Sequence, residues 1–254
     1  SGLSFGTGWS IRTNPDSLLK SKWSAGFGLN YGISEERLRG HVSFEYKKSK
    51  RRDTWSFAAG RYRLHFNQDL PLYPIANALY SLIDAQNLAR YYEKDAVSLS
   101  WNKSLKSGID IHTFGEFGRR RPLINHTDYH WAGSNAHYLT NEPMILESQR
   151  LFEKNSHVII GFSFDYAFNQ QYITYPNREF KVTSPYPRLG LDFLVDHNLT
   201  NNLTFSRIQF RARDDYGWGL LGEGDWRMNV GTTIHRDELL YDTDLKHFDG
   251  NQTN

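Results

Sequence analysis

The stretch that most constrains the fold runs from Trp23 to Ser34, where large apolar residues alternate with small or polar ones. Because successive side chains of a β-strand point to opposite faces, this alternation predicts a strand with one apolar face and one small, polar face. The strand is long, since a globular strand usually has about 5–6 residues and a strand tilted across a bilayer needs roughly 9–11. Trp and Tyr near its ends are typical of the aromatic girdles of outer-membrane barrels.

The same alternation recurs along the chain and predicts about ten strands. Between Trp55 and Phe66 it changes phase, which predicts a β-bulge near Gly60. The predicted strands occupy, in chain order, residues 3–12, 23–34, 38–47, 55–66, 97–101, 109–117, 158–169, 188–196, 203–213 and 218–234.

The connections between these strands differ in length. Pro71–Arg90 contains apolar residues at helical spacing and predicts a helical loop against the mouth of a barrel. Arg119–Ser156 is a long polar loop, and a third long connection follows Ile234. Long loops in alternate gaps, with short turns between them, are the outer-membrane pattern.

Composition agrees with a barrel and excludes other classes. Aromatic residues make up 15% of the 254 residues, which is natural for a barrel with girdles. The mean hydropathy is −0.64, and no apolar run in the sequence approaches the ~18 residues that a membrane helix needs. A net charge of +2 gives no reason to expect a nucleic-acid partner, and without cysteine there is no disulfide framework. We therefore predict an all-β fold, an antiparallel transmembrane outer-membrane β-barrel with one helical loop. We expect residues 1–254 to form a single barrel domain that is cut at both ends.

The sequence of a soluble β-sandwich or of a lipocalin-like barrel would also alternate between apolar and polar residues along each strand. The strand lengths, the glycine-rich polar face and the aromatic strand ends weigh against both. In the barrel, the predicted lipid-facing residues include Trp9, Phe27, Leu29, Phe44, Phe162, Phe164, Leu191 and Phe193. The predicted lumen-facing residues are Arg39, His41, Glu45, His112, Glu116, Asp165, Arg188, Asp192, Asp225 and Arg227.

Short motifs in a fixed order carry a family resemblance. They are Tyr92–Asp95, Asn125–Tyr129, Tyr172–Arg178, Gly219–Gly222 and Lys246–Thr253. On these motifs the chain resembles the uncharacterised outer-membrane barrel proteins that carry a carboxypeptidase-regulatory-like domain ahead of the barrel. The resemblance implies a Gram-negative cell outer membrane, further strands after Asn254 and a soluble domain before Ser1.

That family is loosely similar to the surface-antigen and barrel-assembly superfamily, in which a late loop with an Arg-Gly-aromatic motif folds back into the lumen. The nearest counterpart here is Phe248, Asp249, Gly250 and Asn251, with Asp where the motif has Arg. This departure argues against an assembly or insertion activity of the superfamily's kind.

Three side-chain groups suggest chemistry, and each has a simpler interpretation. His126, Asp128, His130 and His137 offer metal ligands, but their spacing matches no named site, so we expect surface histidines, no metal and no cofactor. Glu116 and Asp165 could form a glycosidase-like carboxylate pair, and His112, Ser163 and Asp165 a triad. Charges are, however, ordinary in a barrel lumen, where arginines such as Arg39, Arg188 and Arg227 pair with them.

Two basic clusters, Lys47–Arg52 and Arg119–Arg121, suit anionic lipid head groups. The function expected from the sequence is therefore that of a non-enzymatic outer-membrane protein in transport, export or outer-membrane assembly. Its expected partners are outer-membrane lipid, lipopolysaccharide and other outer-membrane or periplasmic proteins. The alternative is a soluble β-rich carbohydrate-binding or glycoside-hydrolysing domain, with aromatic side chains stacking on sugars.

Overall fold

Ten antiparallel strands form one continuous sheet, and two further strands form a separate hairpin. The computed structural model describes residues 4–13, 21–48, 52–66, 79–83, 90–125, 130–131, 141, 152–175, 179–182, 184–217 and 222–237. The strands are β1 (Ser4–Arg12), β2 (Ser21–Gly32), β3 (Arg37–Lys48), β4 (Asp53–His65), β5 (Tyr91–Ser104), β6 (Ile109–Pro122), β7 (Asn155–Ala167), β8 (Tyr172–Thr174), β9 (Glu179–Lys181), β10 (Arg188–Asn198), β11 (Leu203–Gly217) and β12 (Glu223–Arg236).

Each strand of the sheet pairs with its neighbour in the chain, except that β7 pairs with β10 across the β8–β9 hairpin. The all-β, antiparallel part of the prediction is therefore confirmed. Within the described residues β1 and β12 are the two edges of the sheet and do not pair with each other, so the sheet is open.

The predicted β-bulge near Gly60 is wrong. β4 pairs with β5 in one unbroken register from Asp53 to His65, and pairing between β3 and β4 ends at His41 opposite Gly60. The apolar residues change face at this point because Leu64 packs against a buried aromatic cluster of Phe66, Tyr92 and Phe152. The change of phase therefore marks a new packing partner rather than an extra residue in the strand.

Two strand limits also differ from the prediction. β6 continues to Pro122, so the long connection begins after Pro122 rather than at Arg119. β5 begins at Tyr91 rather than Val97. The reason is the same in both strands, because their charged end residues form ion pairs with other strands of the sheet and need no apolar partner.

The connections lie at two ends of the sheet. Strands β2, β4, β6 and β10 end at one end of the sheet, here called the loop end, and strands β1, β3, β5, β7 and β11 end at the other, here called the turn end. The predicted asymmetry of long and short connections is only partial, because 168–187 at the turn end is long and contains the unpredicted β8–β9 hairpin. Residues 79–83, within the predicted helical loop, form one helical turn. Among the described residues no helix has the length and apolarity to cross a membrane.

Side chains from the long connections tie down the loop end of the sheet. Phe152 packs against Phe66 and Tyr92 with ring centroids 4.9 and 5.5 Å away. The side-chain oxygen of Asn141 accepts a hydrogen bond from the Tyr91 backbone N–H at 3.0 Å. Its amide nitrogen donates to the Leu123 carbonyl at 3.1 Å. The starts and ends of β4, β5 and β6 are thereby held together by a segment remote in sequence.

Candidate functional site: the polar sheet face and the Glu93 cluster

The register aligns apolar residues on one face of all ten strands, here called the apolar face. Trp9 pairs with Phe27, and Phe162 pairs with Phe193. The eight residues predicted to face lipid all fall on this face, namely Trp9, Phe27, Leu29, Phe44, Phe162, Phe164, Leu191 and Phe193. A row of four aromatic residues crosses β2 to β5 near the turn end, in the order Trp23, Tyr46, Trp55 and Trp101.

The burial pattern is inverted relative to a water-soluble protein. Among the described residues, large apolar side chains of this face are widely exposed, for example Trp9 at 59% and Ile160 at 61%. The buried residues, in contrast, include ten polar or charged ones and eight apolar ones. Lys, Glu and Arg are almost never fully buried in soluble proteins unless paired, and apolar exposure on this scale marks an interaction surface.

The opposite face, here called the polar face, carries all ten predicted lumen residues at positions of one common parity in the register. They are Arg39, His41, Glu45, His112, Glu116, Asp165, Arg188, Asp192, Asp225 and Arg227. The structure gives them a shared face, and their role in lining a lumen stays a prediction.

Glu116 belongs to a buried group near the loop end, here called the central cluster: Lys94, Glu116, Arg120, His157 and Asp196. Lys94 forms an ion pair with Glu116, and His157 Nε2 lies 3.3 Å from the same carboxylate. Arg120 pairs with Asp196 at 3.0 Å. These side chains come from β5, β6, β7 and β10 and lock four strands together through charge.

Asp165 and Asp192 share one partner on β11. The Arg211 guanidinium lies 3.1 Å from Asp165 and 2.5 Å from Asp192. Asp165 pairs in register with Asp110, six residues from Glu116 on β6, which separates the Glu116 and Asp165 backbones by roughly 20 Å. Glycosidase carboxyl groups lie about 5–9.5 Å apart, so these two residues do not form such a pair.

The imagined triad is not assembled either. His112 and Ser163 are direct cross-strand partners, but His112 Nδ1 lies 2.6 Å from Asn102 Oδ1 and the imidazole stacks on Phe114. The Asp165 carboxylate is engaged by Arg211. A triad requires the carboxylate to orient the histidine, and here the carboxylate orients an arginine.

The remaining predicted lumen residues are spread over the polar face. The His41 ring stacks on Tyr62 at 5.8 Å, and Glu45 is exposed. Arg188, Asp225 and Arg227 line a groove of about 390 Å³ at the turn end. In that groove Arg227 lies 3.6 Å from Asp225, and both side chains are largely exposed.

Arg39 also has the parity of the polar face, but it belongs to a separate group of charges that was not predicted from the sequence. Its guanidinium is 5% exposed and lies 3.0 Å from Glu93, whose side chain is fully buried. Three more arginines approach the Glu93 carboxylate: Arg121 at 3.3 Å, Arg37 at 3.4 Å and Arg61 at 3.9 Å. The Glu93 cluster consists of Glu35, Arg37, Arg39, Arg61, Arg63, Glu93, Asp95 and Arg121.

The Glu93 cluster joins two parts of the sheet that have separated. Beyond His41 and Gly60, β3 remains paired only with β2, and β4 only with β5. Arg39 has the parity of the polar face, whereas Glu93 has that of the apolar face. Their contact therefore means that the end of the β2–β3 hairpin lies over the apolar-face side of β4, β5 and β6.

Glu35 lies in the turn of this hairpin. Burial by itself would raise the pKa of the Glu35 carboxyl, but the hydrogen bond and charge of Arg39, with the charge of Arg63, outweigh it and hold that pKa below the usual 4.5. Glu35 is thus ionised at neutral pH and serves as the acidic anchor of the hairpin end.

The motif Tyr92–Asp95 has a structural meaning for every member. Tyr92 is in the aromatic cluster, and Lys94 is in the central cluster. Glu93 and Asp95 lie on the other face and are two of the three acidic residues of the Glu93 cluster. In the sequence, this motif shows only that acidic and basic residues alternate along β5. That alternation does not reveal which residues of other strands pair with them.

Several predicted sites lie outside the described residues. These are Phe248, Asp249, Gly250 and Asn251, and the histidine group apart from His130. Among the described residues no group of His, Cys, Asp and Glu is arranged to hold a metal ion.

Fold and site together define an all-β protein with an open antiparallel sheet, an exposed apolar face, an opposite polar face and buried charge clusters. The chain belongs to the family of unknown function DUF5686, and residues 1–254 match the C-terminal domain of that family. No curated protein and no solved structure matches the chain.

Proposed function

We propose that this sheet is the wall of an outer-membrane β-barrel in the cell outer membrane. The observation that carries the proposal is the inverted burial, with exposed Trp, Phe and Ile on the apolar face and buried Lys, Arg, His and Asp on the polar face. In a bilayer the apolar face would contact lipid, which removes the cost of exposing it to water.

The limits of the apolar face support this proposal. Beyond the aromatic row Trp23–Trp101, the next positions on the same face are Ser21, Lys48, Asp53 and Lys103. At the other limit the face reaches Arg61, Asp95 and Arg119. On β4 the two polar limits, Asp53 and Arg61, enclose nine residues when both are counted. A tilted transmembrane strand needs roughly 9–11 residues, and barrels carry aromatic girdles at the borders of the apolar band.

The polar face suits a lumen that is partly filled. The central cluster and the aromatic cluster of Phe66, Tyr92 and Phe152 bury the polar face at the loop end. A wide water-filled channel would leave such residues solvated. We therefore assign the barrel a non-enzymatic role in transport, export or outer-membrane assembly through a restricted lumen. Its partners are outer-membrane lipid, lipopolysaccharide and other envelope proteins.

Two adjacent residues of β7 provide the test. Phe162 lies on the apolar face and is 38% exposed, and Ser163 lies on the polar face opposite Asp192. Phe162→Arg should lower the yield of folded protein in the outer membrane, because an arginine facing lipid costs about 2–4 kcal/mol at the bilayer midplane. Ser163→Arg places the same charge beside Asp192 and should have a mild effect.

The measurement is the amount of protein in the outer-membrane fraction and its gel mobility with and without boiling. Wild type and Ser163→Arg should both show a boiling-dependent shift. Equal yield and equal shift for both variants would contradict the membrane assignment. A wild-type protein found in the soluble fraction would instead favour the carbohydrate-binding alternative.

A further inference from the structure

The apolar face contains a groove of about 420 Å³ at the place where β3 leaves β4. It exists because pairing between these strands stops at His41 and Gly60, while each strand continues with its other neighbour. The groove is lined by Leu38, Gly60, Arg61, Asp95, Ala96, Val97, Phe117 and Arg119.

One half of the groove is hydrocarbon. Leu38, Val97 and Phe117 are exposed by 58%, 48% and 49%, and all three lie on the apolar face. Covering apolar side chains of this size with a chain of CH₂ groups is favourable, because it removes their apolar surface from water. This half therefore fits an acyl chain.

The other half is cationic. Arg61 is held by Asp95 at 2.6 Å, and Arg119, the cross-strand partner of Asp95, is exposed. The Glu93 cluster together with Arg119 contains six arginines and three carboxylates, which leaves a surplus of three positive charges. Guanidinium groups bind phosphate oxygens with paired hydrogen bonds.

We propose that this groove binds one membrane lipid with an anionic, phosphate-bearing headgroup. The acyl chain lies against Leu38, Val97 and Phe117, and the phosphate meets Arg61 and Arg119 at the border of the apolar face. This inference rests on the proposed membrane location, because only there do lipid chains and headgroups meet the protein at these depths. It adds a specific lipid site to a surface that would otherwise contact bulk lipid.

The test uses the full chain in detergent, with native mass spectrometry of lipid adducts during titration with phosphatidylglycerol. Phosphatidylcholine serves as the net-neutral lipid, and glycerol phosphate as a headgroup without acyl chains. We expect phosphatidylglycerol to bind more tightly than either. Arg119→Gln should weaken its binding about fivefold, the effect of roughly one basic residue at an anionic lipid surface. Leu38→Ser should weaken binding of phosphatidylglycerol and leave the preference for its headgroup unchanged.

Arg12→Gln is the matched control, since Arg12 is an exposed arginine at the far end of β1 on the polar face. It should bind phosphatidylglycerol like wild type. Loss of affinity in Arg12→Gln equal to that in Arg119→Gln would overturn the site, and so would equal binding of glycerol phosphate and the intact lipid. A wild-type protein with a boiling-dependent shift and no preference for phosphatidylglycerol contradicts the groove alone. A wild-type protein without the shift contradicts the barrel itself.

Discussion

At the scale of single residues, glycine decides how closely β3 and β4 approach. A Cβ atom on Gly60 would lie 2.5 Å from the Cβ of His41 and 2.7 Å from the carbonyl oxygen of Gly40. Because the second of these atoms is backbone, a larger residue at position 60 must push the strands apart. The last β3–β4 pair, and the groove beside it, therefore depend on this one residue.

Gly60→Ala should lower the free energy of unfolding by about 1–3 kcal/mol, the usual cost of overpacking. Equilibrium unfolding in urea, followed by tryptophan fluorescence of the detergent-solubilised protein, measures the change. Gly115→Ala on β6 is the control, because a Cβ there meets nothing within 4 Å. It should be neutral or stabilise by up to about 1 kcal/mol. Equal losses in the two variants would show that backbone proximity at Gly60 is unimportant.

Glu35 gives the protein a residue-scale pH dependence. Its pKa in the folded protein lies below 4.5 because Arg39 and Arg63 outweigh the effect of burial. Its stabilising contribution is therefore complete above about pH 4.5 and is lost as the pH falls through the lowered pKa. Glu35→Gln should cost about 1.5–3 kcal/mol at pH 7, the range for hydrogen bonds to charged groups.

The urea midpoints of wild type and Glu35→Gln should accordingly differ at pH 7 and converge in the acid range below pH 4.5. Glu45→Gln is the control, since Glu45 is an exposed residue of β3, the strand that follows Glu35. It should match wild type at every pH. A difference between wild type and Glu35→Gln that persists unchanged at the lowest pH would contradict the ionised role of Glu35.

At the scale of elements, the β8–β9 hairpin depends on a residue from another connection. The Arg52 guanidinium lies 4.2 Å from the centroid of the Tyr172 ring and pairs with Glu179. Lys181 also pairs with Asp110, at 2.9 Å. These contacts hold the hairpin against the turn end of the sheet.

Arg52→Ala should speed hydrogen exchange of the β8 and β9 amides by roughly 5–30-fold, since a cation–π contact and an ion pair together contribute about 1–2 kcal/mol. Exchange detected by mass spectrometry would localise the effect to these strands. Lys106→Ala removes a 75% exposed partner of the same Glu179 and should change exchange much less. Unchanged exchange in Arg52→Ala would show that other contacts hold the hairpin.

The elements were predictable wherever alternation was the only requirement. Trp23–Ser34 indicated β2 because every apolar residue there lies on one face. β8 and β9 have three residues each, too few for alternation to be recognised. The β-bulge predicted near Gly60 was wrong because, in a sequence, a change of the apolar face looks the same as a bulge. The Glu93 cluster escaped prediction since it joins strands that are no longer paired. Residues such as Arg39 and Glu93 belong to opposite faces, and only the separation of β3 from β4 brings them together.

At the scale of the whole molecule, the exposed apolar face should determine solubility. Full-length protein should be monodisperse by size-exclusion chromatography in detergent above its critical micelle concentration, and should aggregate below it, because the apolar face would then meet water. Multi-angle light scattering measures both states. A monodisperse protein without detergent would contradict the barrel proposal and support a soluble domain.

The order of the strands has a consequence for how the molecule forms. Among the described residues every pairing in the sheet joins chain neighbours, with one detour around a short hairpin. Such a ladder has low contact order for a β-protein, so loop-closure entropy stays small at each step. A nascent sheet can therefore grow by one hairpin at a time, and no strand has to wait for a remote part of the chain before it finds its partner.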